Sequence, residues 1–192
     1  MKDGRNKGNR FENTVCRKLS KWYGYPSQRL ADLPFRRRST SIMPVEGHWR
    51  GEGDVLYRPD VAFPFAVECK KHEGWELDGS LYVPTWPIWE WWDQAQEQAG
   101  NARLCPLLVF SRNHRPIYVL LKEREATWLK LRPKHGPVVV LWRRSGELLV
   151  LALLDDLVET EKRLAERLAR RSWGTGHVVS VPRAVVGGVK VK

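Results

Sequence analysis

Cysteine is scarce in this 192-residue chain: Cys16, Cys69 and Cys105 are odd in number and widely spaced. That argues against a disulfide framework, and each thiol reads as a small buried hydrophobe. The five histidines, His48, His72, His114, His135 and His177, show no ligand spacing with one another or with cysteine. A structural zinc site is therefore not expected. No run of about eighteen apolar residues could span a bilayer, and no signal-peptide core opens the chain. The expectation is a soluble protein of the cytoplasm with no membrane partner.

Acidic charge is the other shortage. Against 33 Lys and Arg stand 22 Asp and Glu, a formal net charge of +11. An excess of this size points to a polyanion, of which nucleic acid is the commonest. With 42% hydrophobic residues, the chain can fill one sizeable core with small additions.

The carboxylates that are present form a pattern. In GDVLYRPDVAFPFAVECK, Asp54 is followed after thirteen residues by Glu68-Cys69-Lys70. Side chains alternate along an extended strand, so Glu68 and Lys70 share one face while Phe65, Val67 and Cys69 take the other. Asp54 opens a strand over 54–58, and an antiparallel return through Pro59-Asp60 would set it opposite Glu68. Two carboxylates converging beside an ammonium suit a divalent cation and a phosphate. The bland alternative, a surface ion pair between Glu68 and Lys70, sits poorly with the apolar residues around them.

Residues 1–10, MKDGRNKGNR, are basic and glycine-rich. They read as a flexible arm, either laid along phosphates or merely solvated. A helix follows over 9–23, where Phe11, Val15, Cys16, Leu19 and Trp22 gather within roughly 140° at about 100° per residue. Glu12 falls inside that arc. Either it is aimed at a cation site, or it favours the helix dipole from the first turn.

A strand is expected at 27–30, then a polar stretch containing Arg36-Arg37-Arg38-Ser39-Thr40-Ser41. Three arginines flanked by hydroxyls can grip phosphate oxygens, although a charge run is more often a solvated surface. Beyond Lys70, a helix starting near Trp86-Pro87 and running to about Ala99 carries an apolar stripe of Ile88, Trp92, Ala95 and Ala99, with Gly100 and Asn101 ending it. Strands at 107–110 and 117–121 form a hairpin, and those at 138–142 and 147–151 form another around Arg143-Arg144-Ser145-Gly146. A short helix at 126–131 and a last one at 155–171 complete a mixed α/β plan. Ten tryptophans are many for this length. They read as core and rim packing, or as an aromatic face for unstacked bases or a second subunit.

Glu12 on an opening helix, Asp54, Glu68-Cys69-Lys70 and a glutamine on the next helix together resemble the PD-(D/E)XK nucleases. The likeness is greatest to archaeal-type Holliday junction resolvases and their phage relatives, and it covers about residues 5–122. It implies a restriction-endonuclease-like core at 1–122, a mixed sheet flanked by helices. A C-terminal hairpin and helix extension at 123–172 and an unassigned tail at 173–192 would follow. It also implies a magnesium site built from Asp54, Glu68 and the Cys69 carbonyl, with Glu12 ligating directly or through water and Mn²⁺ able to substitute. Lys70 would assist hydrolysis, and Gln94, with Gln98 in reserve, would complete the cluster. Arg10, Arg36, Arg37, Arg38 and a loop serine, Ser39 or Ser41, would contact DNA. Gly53 departs from the family, which has proline there, while a literal Pro59-Asp60 lies eight residues before Glu68.

The resemblance implies a Mg²⁺-dependent endodeoxyribonuclease acting on four-way junctions as a homodimer, in the host cytoplasm if phage-encoded. The alternatives are a restriction-like or nicking enzyme on linear duplex, and a non-catalytic DNA-binding module. The last would need the arginines but neither Asp54 nor Glu68.

Overall fold

The computed structural model describes residues 2–26, 29–38, 49–73, 87–143 and 145–172. Its order is α1 (Lys2–Trp22), β1 (Phe35–Arg37), β2 (Val55–Tyr57), β3 (Phe65–Lys71), α2 (Pro87–Ala102), β4 (Cys105–Ser111) and β5 (Tyr118–Lys122). Then come α3 (Glu123–Trp128), β6 (Val139–Trp142), β7 (Leu148–Leu153), α4 (Leu154–Leu157) and α5 (Lys162–Ser172). Five strands form one sheet in the order β3-β4-β5-β7-β6, while β1 and β2 make a separate two-stranded ladder. β3 and β4 run parallel with α2 as their crossover, and the other pairs are antiparallel. This is the mixed α/β plan of a restriction-endonuclease-like core.

Alternation along the strands divides the core in two. Val67, Leu107, Val109, Val119 and Val150 point to one face, where Phe11, Val15, Cys16 and Leu19 of α1 cover them. Leu108, Phe110 and Leu120 point to the other, under Ile88, Trp92 and Ala95 of α2. Covered on both faces, β4 is buried along its whole length, as a central strand between helical layers must be.

The C-terminal strands join the same sheet. β7 pairs with β5, in the register Leu120 to Leu151, so the sheet runs through residue 122. Glu147 ties this hairpin to α2, accepting from Trp92 Nε1 at 3.0 Å and Gln96 Nε2 at 2.9 Å and pairing with Lys122 at 2.9 Å. Helices α3 to α5 pack beside α1, where Trp22 Nε1 donates to the Thr160 carbonyl at 2.8 Å and Lys18 pairs with Asp155.

Several expectations are corrected. Residues 2–10 are helical, not an open arm: Gly4 and Gly8 weaken a helix by about 1 kcal/mol each, but no proline interrupts it. Leu30 lies in a 3-10 turn, Leu30–Asp32, and the strand comes later, at Phe35–Arg37, where Phe35 supplies a fully buried anchor. The other part of that expected strand, Ser27 and Gln28, lies outside the described residues. α2 continues through Gly100 and Asn101 to Ala102, and Arg103, at φ 55°, ends it. The expected helix at 155–171 is two helices, α4 and α5, with a break at 158–161 where Thr160 Oγ1 turns back to the Leu157 carbonyl at 2.8 Å. The tail at 173–192 lies outside the described residues.

Candidate active site

Asp54 is mounted by backbone on both sides. Its N–H donates to the Val67 carbonyl at 2.8 Å, and its carbonyl accepts from Arg38 N–H at 2.7 Å. The preceding residue, Gly53, forms a parallel bridge with Val67 at φ +85°. A Cβ at Gly53 would lie 2.3 Å from the Val67 carbonyl oxygen, so only glycine permits this approach. The antiparallel β2–β3 hairpin expected through Pro59-Asp60 does not form. β2 pairs with β1 instead, and the segment leading into β3 buries Val61 and Phe63 in the core rather than turning in solvent.

The bridge places Asp54 on the outer edge of β3, the side away from β4. Pro64 O and His72 N–H bond to β4, so the even positions of β3 face that neighbour and the odd ones face the edge. The N–H and C=O of one strand residue point to the same side. Cys69 N–H donates to Asp54 Oδ2 at 2.8 Å, and the Cys69 carbonyl therefore faces Asp54 as well.

Glu68 and Lys70 rise together from the face under α2. Glu68 is 2% exposed, its Oε1 lies 2.6 Å from Lys70 Nζ, and Lys70 also donates to Gln94 Oε1 at 2.8 Å. The second oxygen, Glu68 Oε2, is buried and has no hydrogen-bond partner among the described residues. Gln98, one turn after Gln94, serves a different place: its Oε1, also buried and without a partner among the described residues, would lie 2.9 Å from a Cβ at Gly53. Sequence reasoning had Gln98 only as a reserve for Gln94.

Glu12 reaches the same electrostatic neighbourhood from α1. Burial raises its carboxyl above the usual range, Arg37 opposes that, and the negative charge of Glu68 adds to it. Asp54 is pushed up to about 6, first by burial and then by Glu68, against the Cys69 N–H; Glu12 raises it further and Lys70 lowers it. Among the described residues no three His, Cys, Asp or Glu are gathered tightly enough to hold a metal by side chains alone. The arrangement is two carboxylates, Asp54 and Glu68, the second with an oxygen left over, and a carbonyl, with Glu12 in the same electrostatic neighbourhood. Such an oxygen set fits Mg²⁺, which keeps several waters, and a cation would relieve the repulsion that raises Asp54.

The arginine triplet is a strand end rather than a loop, and it is splayed. Arg36 stacks on Trp49 at 4.1 Å. Arg38 Nη2 bonds the Gly51 carbonyl at 3.0 Å and Glu52 Oε2 at 2.9 Å. Arg37 alone turns to α1, where Nη1 donates to Asn9 Oδ1 at 3.3 Å beside Glu12. The period-2 alternation of a strand would have separated Arg37 from its neighbours had the strand been placed correctly. Arg10 is exposed on α1, while Ser39 and Ser41 lie outside the described residues. Asp60 sits on an exposed turn paired with Arg58 at 2.9 Å. Of the tryptophans on α2, Trp92 is core, while Trp89 and Trp91 are half-buried against it.

A mixed sheet with an E-x-K triplet on its edge strand and an aspartate bridged beside it defines a nuclease of the PD-(D/E)XK class, whose members generally use Mg²⁺. The family model described as "Phage putative PDDEXK endonuclease" matches residues 3–154, and the chain belongs to that family. No curated protein and no solved structure matches it at a significant level. No helix among the described residues is long and apolar enough to cross a membrane.

Proposed function

We propose that this protein is a Mg²⁺-dependent, structure-selective endodeoxyribonuclease that resolves four-way DNA junctions as a homodimer. The observation that carries this reading is the tie of Asp54 to the Cys69 N–H, between Glu68 and Lys70 at the edge of β3, with Glu12 of the first helix in the same electrostatic neighbourhood. Lys70 is held there between Glu68 and Gln94. That ordered set is what likens the chain to the junction resolvases. The net charge of +11 supports a polyanionic substrate. A two-fold dimer matches a substrate with two-fold symmetry.

Asp54, Glu68 and the Cys69 carbonyl would hold Mg²⁺, with Glu12 ordering its outer water. Bound there, the ion supplies Lewis-acid polarisation of the scissile phosphate; Mn²⁺ offers the same chemistry. The protein's own share is positional. Glu68 and Gln94 fix the Lys70 ammonium so that it can donate to a phosphate oxygen and stabilise the charge that develops there. The Cys69 N–H holds one Asp54 oxygen and so aims the other. Arg37 stands where it can balance phosphate charge next to Glu12.

The test compares Mg²⁺-dependent cutting of a four-way junction with that of a linear duplex of matching sequence, for wild type, Asp54→Asn and Glu68→Gln. The reading predicts junction cutting by wild type alone, with both variants still binding. Equal cutting of both DNAs would replace junction selectivity with action on ordinary duplex. No cutting, with binding retained, would leave a DNA-binding module.

A further inference from the structure

Two basic stations stand at opposite ends of the β3 edge. At the C-terminal end, Lys71 alternates away from Lys70 toward α1, and its Nζ lies 5.8 Å from the centre of the Phe11 ring. Lys7 is one helical turn before Phe11 on the same face of α1, at i, i+4 spacing. Two lysines flanking one aromatic ring form a station at which a single phosphate can meet both ammonium groups.

At the other end an open cleft of about 340 Å³ is lined by Arg50, Glu52, Tyr57 and Arg103, among others. Arg50 is fixed against Tyr57 by a pair of backbone hydrogen bonds, both 2.8 Å. Arg103 closes α2 from the opposite wall at φ 55°. The one acid in the lining, Glu52, is engaged by Arg38 at 2.9 Å, which leaves the cleft net positive. The cleft begins immediately before Gly53, so it lies against the mount of Asp54.

We propose that the substrate backbone runs past Asp54 along the outer edge of β3, with one flanking phosphate held by Lys7 and Lys71 and another by Arg50 and Arg103. From Val67 to Lys71 the strand covers about 13 Å. One strand of duplex DNA carries a phosphate per about 3.4 Å of axis. A backbone on this path presents phosphates to both stations while another lies at Asp54, Glu68 and Lys70. The proposal rests on the nuclease reading for its substrate but not for its measurement.

The experiment is equilibrium binding of a fluorescein-labelled linear DNA duplex in Ca²⁺, between 50 and 200 mM salt, for wild type, Lys7→Gln/Lys71→Gln and Arg50→Gln/Arg103→Asn. Asparagine tolerates the positive φ at 103. The slope of log K against log salt is negative, and each lost phosphate contact reduces its magnitude by about 0.9, so each pair is expected to reduce that magnitude by about 1. Arg132→Gln/Arg170→Gln, exposed and outside both stations, removes the same charge and is expected to leave the slope unchanged. Thermal melting of each variant confirms that the fold is kept. Unchanged slopes in both station pairs, or an equal loss in the control, would overturn the track. Wild type is assayed separately for Mg²⁺-dependent cutting: cutting with unchanged slopes sinks the track alone, and lowered slopes without cutting sink the nuclease reading alone.

Discussion

Asp54 Oδ2 accepts a 2.8 Å hydrogen bond from the backbone N–H of Cys69, the residue that separates Glu68 from Lys70. An aspartate arriving from another segment is thereby tied to the strand that carries the other two groups. The three are held in one frame by backbone hydrogen bonds, and the tie depends on the close approach of Gly53 to Val67.

Gly53 is accordingly the backbone position least able to change. Gly53→Ala places a Cβ against the Val67 carbonyl at a φ of +85°, and is expected to cost about 1–3 kcal/mol in thermal unfolding and to lower cleavage with it. Gly53→Pro restores the residue found elsewhere in the superfamily, yet proline fixes φ near −65°. It should abolish cutting, and a fully active Gly53→Pro would show that Asp54 is mounted differently.

Asp54 gives a pH signature. Its folded value of about 6 lies above the ordinary 3.8, so the carboxyl favours the fold while protonated, below about pH 3.8. That contribution is lost as pH rises through about 6. In metal-free protein, Asp54→Asn should gain on wild type between about pH 4 and 6 and hold an advantage of about 1–3 kcal/mol above pH 7. Added Mg²⁺ should raise the melting temperature of wild type and not of Asp54→Asn. Melting curves across pH, with and without Mg²⁺, check both statements.

The two glutamines should separate in assay. Gln94→Ala frees Lys70 from one of its two partners and is expected to slow single-turnover cutting by about 10-fold while binding is kept. Gln98→Met removes a buried oxygen that has no partner among the described residues, and should raise stability by about 1 kcal/mol. A loss of stability in Gln98→Met would instead mean that the carboxamide supports the Gly53 bridge.

Asp60 is the control aspartate. Paired with Arg58 on an exposed turn, it should tolerate Asp60→Asn with wild-type cutting and a stability change within about 0.5 kcal/mol. Inactivity of that variant, with an active Asp54→Asn, would reverse the choice between the two aspartates.

The elements that announced themselves in the sequence did so by period. The stripe of Ile88, Trp92, Ala95 and Ala99 is the buried face of α2, and both C-terminal hairpins pair as their turn residues suggest. Alternation also put Glu68 and Lys70 on one face. What period cannot report is which strand lies beside which. Asp54 meets β3 through a single parallel bridge, and the nearest local signal, Pro59-Asp60, pointed to a hairpin instead. Likewise Arg36, Arg37 and Arg38 look alike as letters, and only the placement of β1, which ends at Arg37, gives Arg37 a different neighbour from the other two. The unpartnered oxygen of Gln98 and the clash at Gly53 are tertiary facts with no local signal.

Single-turnover cleavage of a labelled four-way junction in Mg²⁺ by Glu68→Gln tests the central claim most directly. Loss of cutting by about 100-fold or more, with junction affinity kept or increased, is the predicted result. Cutting at the wild-type rate by Glu68→Gln would place the chemistry elsewhere and contradict the account.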